Sequence, residues 1–155
     1  MTVDITLIVN GERHYLTVSP TETLIQVLRE RLGLTGTHRD CAVGICGVCT
    51  VHLNGEPVSS CLLLAVQADG EEITTIEGLE KGSSLAPVQE AFLKHGAVQC
   101  GYCTPGFVMT AAALLKNNVS PSREQIVEAL RGNLCRCTGY VKIIDAVESA
   151  AAKRD

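Results

Sequence analysis

The sequence predicts an α+β protein, with a strand-rich first half and a helical second half. Three observations predict it. Up to residue 76 apolar side chains alternate with polar ones and Asn-Gly pairs recur; from residue 85 apolar residues return at helical spacing instead; and eight cysteines divide into four per half. At 155 residues the chain has room for two small domains. We place them at residues 1–76 and 85–155, joined by a connecting stretch over 77–84 that contains Gly78, Gly82, Ser83 and Ser84.

In the first half Val3, Ile5, Leu7 and Val9 alternate as a half-buried strand does, and Asn10-Gly11 is a type I′ hairpin signal. Tyr15 to Val18 then returns as the second strand. Leu24, Val27, Leu28 and Leu32 recur at helical spacing, with Gly33 where a C-cap glycine belongs. Val48 to Leu53, the Asn54-Gly55 turn and Val58 to Cys61 make a second hairpin, and Ile73 to Ile76 a last strand. A small mixed sheet crossed by one helix is a β-grasp arrangement, the scaffold of plant-type ferredoxin domains.

The second half predicts four helices. They cover Leu85 to His95, Thr104-Pro105 through Leu115, a stretch opened by Ser120-Pro121-Ser122, and Val141 to Ala152. Thr104-Pro105 pairs an N-cap with proline at the first helical position. The buried faces are expected at Ile126, Val127 and Leu130 in the third helix and at Ile144, Val147 and Ala151 in the fourth. A four-helix bundle assembles them most economically.

Composition narrows the function classes. The net charge of −4 argues against binding nucleic acid. Residues 1–76 carry four arginines against nine acidic residues, whereas the remainder is nearly neutral. The chain is 46% hydrophobic without Trp, so the core must be aliphatic and some apolar surface is expected to meet a partner. Gly96 to Leu115 lacks charge over the length of a membrane span. Gln99, Pro105 and three glycines interrupt it, and it reads as a loop and a buried helix. Met1-Thr2-Val3-Asp4 shows neither a basic nor an apolar export region, so a cytoplasmic protein with reduced thiols is expected rather than a disulfide scaffold.

Cys41, Cys46 and Cys49 follow C-x4-C-x2-C, and Cys61 comes twelve residues later, the ligand pattern of a plant-type [2Fe–2S] cluster. Three thiolates so close in sequence converge only if the chain loops around the cluster. Gly44 and Gly47 permit the positive φ angles of such a loop, whose successive N–H groups form an anion site. The second set is Cys100-x-x-Cys103 with Cys135-x-Cys137. Cys103 precedes a helix start that would stabilise a thiolate. Two short pairs also suit structural zinc, so spacing alone leaves iron–sulfur and zinc open at this second site. Histidines 14, 38, 52 and 95 have no ligand spacing and are expected to be surface or satisfied core residues.

Gln99-Cys-Gly-Tyr-Cys-Thr-Pro-Gly106 and Gly132-Asn-Leu-Cys-Arg-Cys-Thr-Gly-Tyr140, downstream of the first loop, resemble the iron–sulfur subunit of the molybdenum hydroxylases. That family includes xanthine dehydrogenase, aldehyde oxidoreductase and carbon monoxide dehydrogenase. The resemblance implies a β-grasp [2Fe–2S] domain followed by a four-helix-bundle [2Fe–2S] domain, on an electron-transfer subunit with no catalytic residue of its own. It implies a large partner subunit carrying molybdopterin and molybdenum and a medium one carrying FAD, and leaves open whether such heterotrimers pair into a dimer. Cys100, Cys103, Cys135 and Cys137 would hold the cluster nearer molybdenum, and Cys41, Cys46, Cys49 and Cys61 the one nearer flavin. Gln99 and Cys137 match pterin-contact positions.

The loop departs from the family at its start, where glycine commonly precedes the first cysteine and an acidic residue follows it. Here Asp40 precedes Cys41 and Ala42 follows. Asp tolerates left-handed backbone angles, so Asp40 is expected either to take that conformation, influence the cluster's potential and flank an apolar tip at Val43 and Ile45 that meets the flavin subunit, or to be simply a solvated loop acid. A free-standing ferredoxin-like shuttle, and a one-cluster protein with structural zinc, are the rival readings.

Overall fold

The computed structural model describes residues 1–80, 82 and 84–152. Lys81 and Ser83 of the expected connecting stretch and residues 153–155 of the helical half lie outside the described residues. The first half is a five-stranded mixed sheet of β1 (Val3–Val9), β2 (Glu12–Val18), β3 (Thr50–Leu53), β4 (Glu56–Ser59) and β5 (Glu72–Thr74). Their order is β2-β1-β5-β3-β4; β1 and β5 run parallel, and every other pairing is antiparallel.

Both Asn-Gly turns form as expected, with positive φ at Asn10, Gly11, Asn54 and Gly55. The β1/β2 register pairs Val9 with Glu12 and Val3 with Val18. It turns Ile5, Leu7 and Val9 inward, where they bury against Leu24, Val27 and Leu28. Those three belong to the crossing helix α1 (Leu24–Gln26), which widens into a π-helical turn over Val27–Arg31 before Gly33 ends it at φ 70°. This is the β-grasp arrangement.

The second half comprises α2 (Pro87–Lys94), α3 (Thr104–Asn117), α4 (Arg123–Ala129) and α5 (Val141–Ala152). Each packs on two others in the cycle α2-α3-α4-α5, around Phe92, Phe107, Ile126, Ile143 and Val147. Ser122 caps α4, accepting the Gln125 N–H while the Gln125 side chain returns to the Ser122 N–H.

Two expected faces differ. Helix α5 buries Val147 as expected, but beside it Ile143, Ala146 and Ala150 rather than Ile144 and Ala151, which are half-buried. It packs on both α2 and α4, so its apolar arc is wide and the inner edge is chosen by the neighbours. Val127 is exposed, because the short α4 faces the bundle through Ile126, followed by Leu130 in the turn just past its end. It lines a shallow groove with Leu134, Tyr140 and Ile144 instead.

The halves are packed together. β3 lies against α3, and His52 of β3 bonds to the carbonyl of Met109 in α3. Among the described residues no helix is long and apolar enough to cross a membrane.

Candidate metal centres

The first site is built on the loop between α1 and β3. Arg29, at the π-helical turn, donates from Nη1 to the carbonyls of Thr35 (2.6 Å) and Thr37 (2.7 Å), fixing the run into Cys41. Gly44 and Gly47 take φ of 75° and 69°, as the loop requires. The left-handed non-glycine residue is Ala42 (φ 54°), not Asp40, contrary to the sequence expectation. The physical reason is the turn across Ala42, which brings the Val43 N–H back to the Cys41 sulfur at 3.5 Å. Asp40 is exposed and adjoins Cys41 without taking that conformation.

The far wall comes from β3, α1 and the segment after β4. Ser60 donates its hydroxyl to the Cys49 carbonyl (2.7 Å), and Ile25 N–H donates to the Ser60 carbonyl (3.1 Å). Cys49, Cys61 and Ile25 consequently form one small buried cluster. The Cys41 and Cys46 sulfurs meet as a pair, and those of Cys49 and Cys61 as another, with Cys46 and Cys49 in electrostatic reach across them. Cys41 is drawn down to about 6, chiefly by the Val43 amide and then by that of Cys46. Burial pushes Cys49 up to about 11 and raises Cys46. The exposed rim carries Val43, Ile45 and Leu62.

The second site sits at the start of α3 and in the connection from α4 to α5. The Cys100 and Cys137 sulfurs lie 3.6 Å apart, and Cys103 pairs with Cys135. Thr138 donates to the Cys135 sulfur through its hydroxyl (3.0 Å) and its amide (3.4 Å). Burial works to raise the Cys135 thiol, but these two donors, together with the Cys137 amide and the Cys103 thiol, hold it below its ordinary value. Contrary to the stabilised thiolate expected at a helix start, burial pushes Cys103 up to about 12. Tyr140, at φ 70°, accepts the Cys135 N–H on its hydroxyl (3.1 Å) and sets its ring edge-on to Phe107. Gln99, Cys100 and Cys137 are all exposed.

This donor set suits a [2Fe–2S] group. Such a cluster needs four thiolates, two per iron, and here the sulfurs come as two pairs in each site. N–H and O–H groups aimed at sulfur stabilise the charge of the bound form. Among the described residues no group of three or more His, Cys, Asp or Glu side chains is set to hold a single ion.

Several residues that shape the sites carry no cysteine signature. Asn133 is buried and donates to the Gly47 carbonyl (3.0 Å), and Leu134 N–H donates to the Cys46 carbonyl (2.9 Å). Gly106 lies so close to the Gly47 peptide that a Cβ there would run into its oxygen and stand 2.9 Å from Val48 Cα. On the outer side His38 stacks on Tyr102, with ring centroids 4.6 Å apart. Its Nδ1 donates to the Tyr102 carbonyl (2.7 Å), and the Tyr102 hydroxyl donates to the Arg39 carbonyl (2.6 Å). His38 is thus an inter-loop residue, and His52 the satisfied core histidine expected. The sequence signal for the bridging set was its position beside the cysteines; nothing in spacing said what it would touch.

Residues 7–84 match the 2Fe-2S iron-sulfur cluster binding domain family, and residues 75–148 the [2Fe-2S] binding domain family. The second match closes the zinc alternative that spacing left open. The small subunit of nicotine 6-hydroxylase from Paenarthrobacter nicotinovorans is 51% identical, over 96% of this chain and 89% of that protein. The nicotinate dehydrogenase small FeS subunit of Eubacterium barkeri is 48% identical, over 97% of this chain and 96% of that one. The crystal structure of quinoline 2-oxidoreductase from Pseudomonas putida 86 contains a chain that superposes with a TM-score of 0.94, at 46% identity, covering 97% of this chain and 94% of that one. The chain belongs to the family of small iron–sulfur subunits of the molybdenum hydroxylases, with one [2Fe–2S]-binding domain in each half.

Proposed function

We propose that this chain is the electron-transfer subunit of a heteromeric molybdenum hydroxylase or dehydrogenase. Cys41, Cys46, Cys49 and Cys61 hold one [2Fe–2S] cluster, and Cys100, Cys103, Cys135 and Cys137 hold the other. The observation that carries this reading is the grouping of eight sulfurs into two sites of two pairs each. Burial and hydrogen bonds to sulfur differ between the sites, the means by which a protein poises cluster potentials.

Electrons arrive one at a time from a large subunit carrying molybdopterin and leave to a medium subunit carrying FAD. Gln99, Cys100 and Cys137 share exposed surface, and the sulfurs of the last two are in contact, which suits a pterin docked at Gln99 and Cys137. The rim of Val43, Ile45 and Leu62 at the first site suits the flavin subunit. Apolar residues exposed at both sites favour a seated subunit over a free-standing shuttle. The domains divide within 77–84, the assembly doubles into a dimer of heterotrimers, and it works in the cytoplasm, where thiols stay reduced.

Isolation of the tagged chain from its native host tests this. Two larger subunits are expected with it, one bringing molybdenum and the other FAD. A chain recovered alone, active as a carrier and free of both, contradicts the reading.

A further inference from the structure

The connection from α4 to α5 closes on itself around Cys135. Thr138 turns back and donates its hydroxyl to the Cys135 sulfur at 3.0 Å and its amide to the same atom at 3.4 Å. The Tyr140 N–H donates in turn to the Thr138 hydroxyl oxygen at 3.3 Å. The Tyr140 hydroxyl completes the circuit, accepting the Cys135 N–H at 3.1 Å. With its oxygen already accepting an amide, the Thr138 hydroxyl keeps its own proton for the sulfur, and each bond of such a chain polarises the next.

The backbone is bent to make this circuit. Gly139 and Tyr140 are both left-handed, at φ 64° and 70°. Glycine takes that angle freely, but for a residue as bulky as tyrosine it is costly and persists only where the surroundings enforce it. Here it accompanies the Tyr140 amide aimed at Thr138 and the Tyr140 ring set edge-on to Phe107.

Among the described residues the first site has no counterpart. Its hydroxyls go to carbonyls instead, Ser60 to that of Cys49 and Thr50 to that of Gly47. The Cys41 sulfur is met by backbone amides, with the Val43 N–H at 3.5 Å. A side-chain hydroxyl on a ligand sulfur thus distinguishes the second site from the first.

We propose that the Thr138 hydroxyl raises the reduction potential of the second cluster through its bond to the Cys135 sulfur. Reduction adds one electron, whose charge is shared by the ligand sulfurs, so a donor on sulfur stabilises the reduced form more than the oxidised one. No covalent bond forms or breaks, and the proton stays on the Thr138 oxygen. The hydroxyl thereby makes this cluster a better acceptor for an electron arriving from the large subunit.

Because this role rests on the reading that both sites hold clusters, its test separates the two. Thr138→Val replaces the hydroxyl with a methyl, and Thr138→Ser keeps the hydroxyl. In the assembled complex, redox titration followed by electron paramagnetic resonance gives each cluster's potential, and iron is assayed alongside. Full iron and two signals are expected in every variant. Thr138→Val should make the second cluster about tenfold harder to reduce at a given potential, a lowering of about 59 mV for one electron. The first cluster should not move, and Thr138→Ser should keep the wild-type value. In deuterium oxide, the second signal should show a deuteron coupling that Thr138→Val loses and Thr138→Ser retains.

An unchanged potential in Thr138→Val overturns the role, as does a shift that Thr138→Ser shares or that both clusters undergo together. Two signals remain in each case, and the two-cluster reading stands. A wild-type complex with a single cluster signal overturns both. Should Thr138→Val fail to load, Thr138→Ala, which opens space beside the sulfur, is judged by the same outcomes. If neither loads while the wild type does, the hydroxyl builds the site rather than tuning it, and the role in setting the potential is overturned.

Discussion

His52 in β3 donates its Nε2–H to the carbonyl oxygen of Met109 in α3, 2.7 Å away, and so ties the sheet to the bundle. A carbonyl only accepts, so this nitrogen carries the proton. The side chain is 6% exposed, and burial lowers its pKa from the ordinary value of 6.5.

The sign of the pH dependence follows. An unfolded chain takes up a proton at His52 near the ordinary value, whereas the folded chain resists it to lower pH. The stability this residue contributes is therefore complete above about pH 6.5 and is lost as pH falls below it. Thermal unfolding of the wild type should weaken with acidification through that range. His52→Gln, which can donate without titrating, should flatten the slope, and His52→Leu should cost about 1–3 kcal/mol at neutral pH.

Gly106 and Gly132 give a matched pair of substitutions. A methyl at Gly106 meets the Gly47 oxygen and Val48 Cα, backbone atoms that cannot step aside, whereas one at Gly132 meets nothing within 4 Å. Gly106→Ala should destabilise the chain by about 1–3 kcal/mol. Gly132→Ala should fall within about 0.5 kcal/mol of the wild type. Chemical denaturation measures both.

Ala42 adopts a left-handed conformation that glycine takes without a Cβ clash. Ala42→Gly should relieve that strain and gain up to about 1 kcal/mol, net of the freedom glycine adds to the unfolded chain. Ala42→Val should lose more than that, through its branched Cβ. Resistance of the visible iron–sulfur absorption to a chelator reads out both changes.

Asp40 is exposed next to Cys41, so its charge acts through water on the first site. Asp40→Asn removes a negative charge without altering the backbone and should raise the potential of that cluster alone. Raising the ionic strength should shrink the difference. A redox titration that finds no difference at low salt contradicts the role.

Much of the fold was legible because its signals are local. Asn10-Gly11 and Asn54-Gly55 state their turn type in two residues, and Thr104-Pro105 marks a helix start, although Cys103 rather than Thr104 stands at the N-cap and Thr104 is the first helical residue. The cysteine spacing likewise names the first loop, whose ligands are close in sequence, whereas the two distant pairs at the second site left iron–sulfur and zinc open. The missed features depend on what arrives from elsewhere in the chain. The inner edge of α5 is set by α2 and α4, both offering apolar surface, so Ile143 rather than Ile144 is fully buried. The left-handed angle moved to Ala42 because the Val43 amide turns toward sulfur. Asn133 at Gly47 and His38 on Tyr102 join residues more than sixty positions apart, and no period or spacing encodes such a meeting.

Low-temperature electron paramagnetic resonance of the fully reduced complex, with iron and sulfide assayed on the same sample, tests the two-cluster claim most directly. Two distinguishable signals of equal intensity and about four irons per chain are expected. Cys61→Ser should perturb one signal and Cys103→Ser the other. A single signal accounting for all the reducible iron, with about two irons per chain and a redox-inert ion among Cys100, Cys103, Cys135 and Cys137, would contradict it.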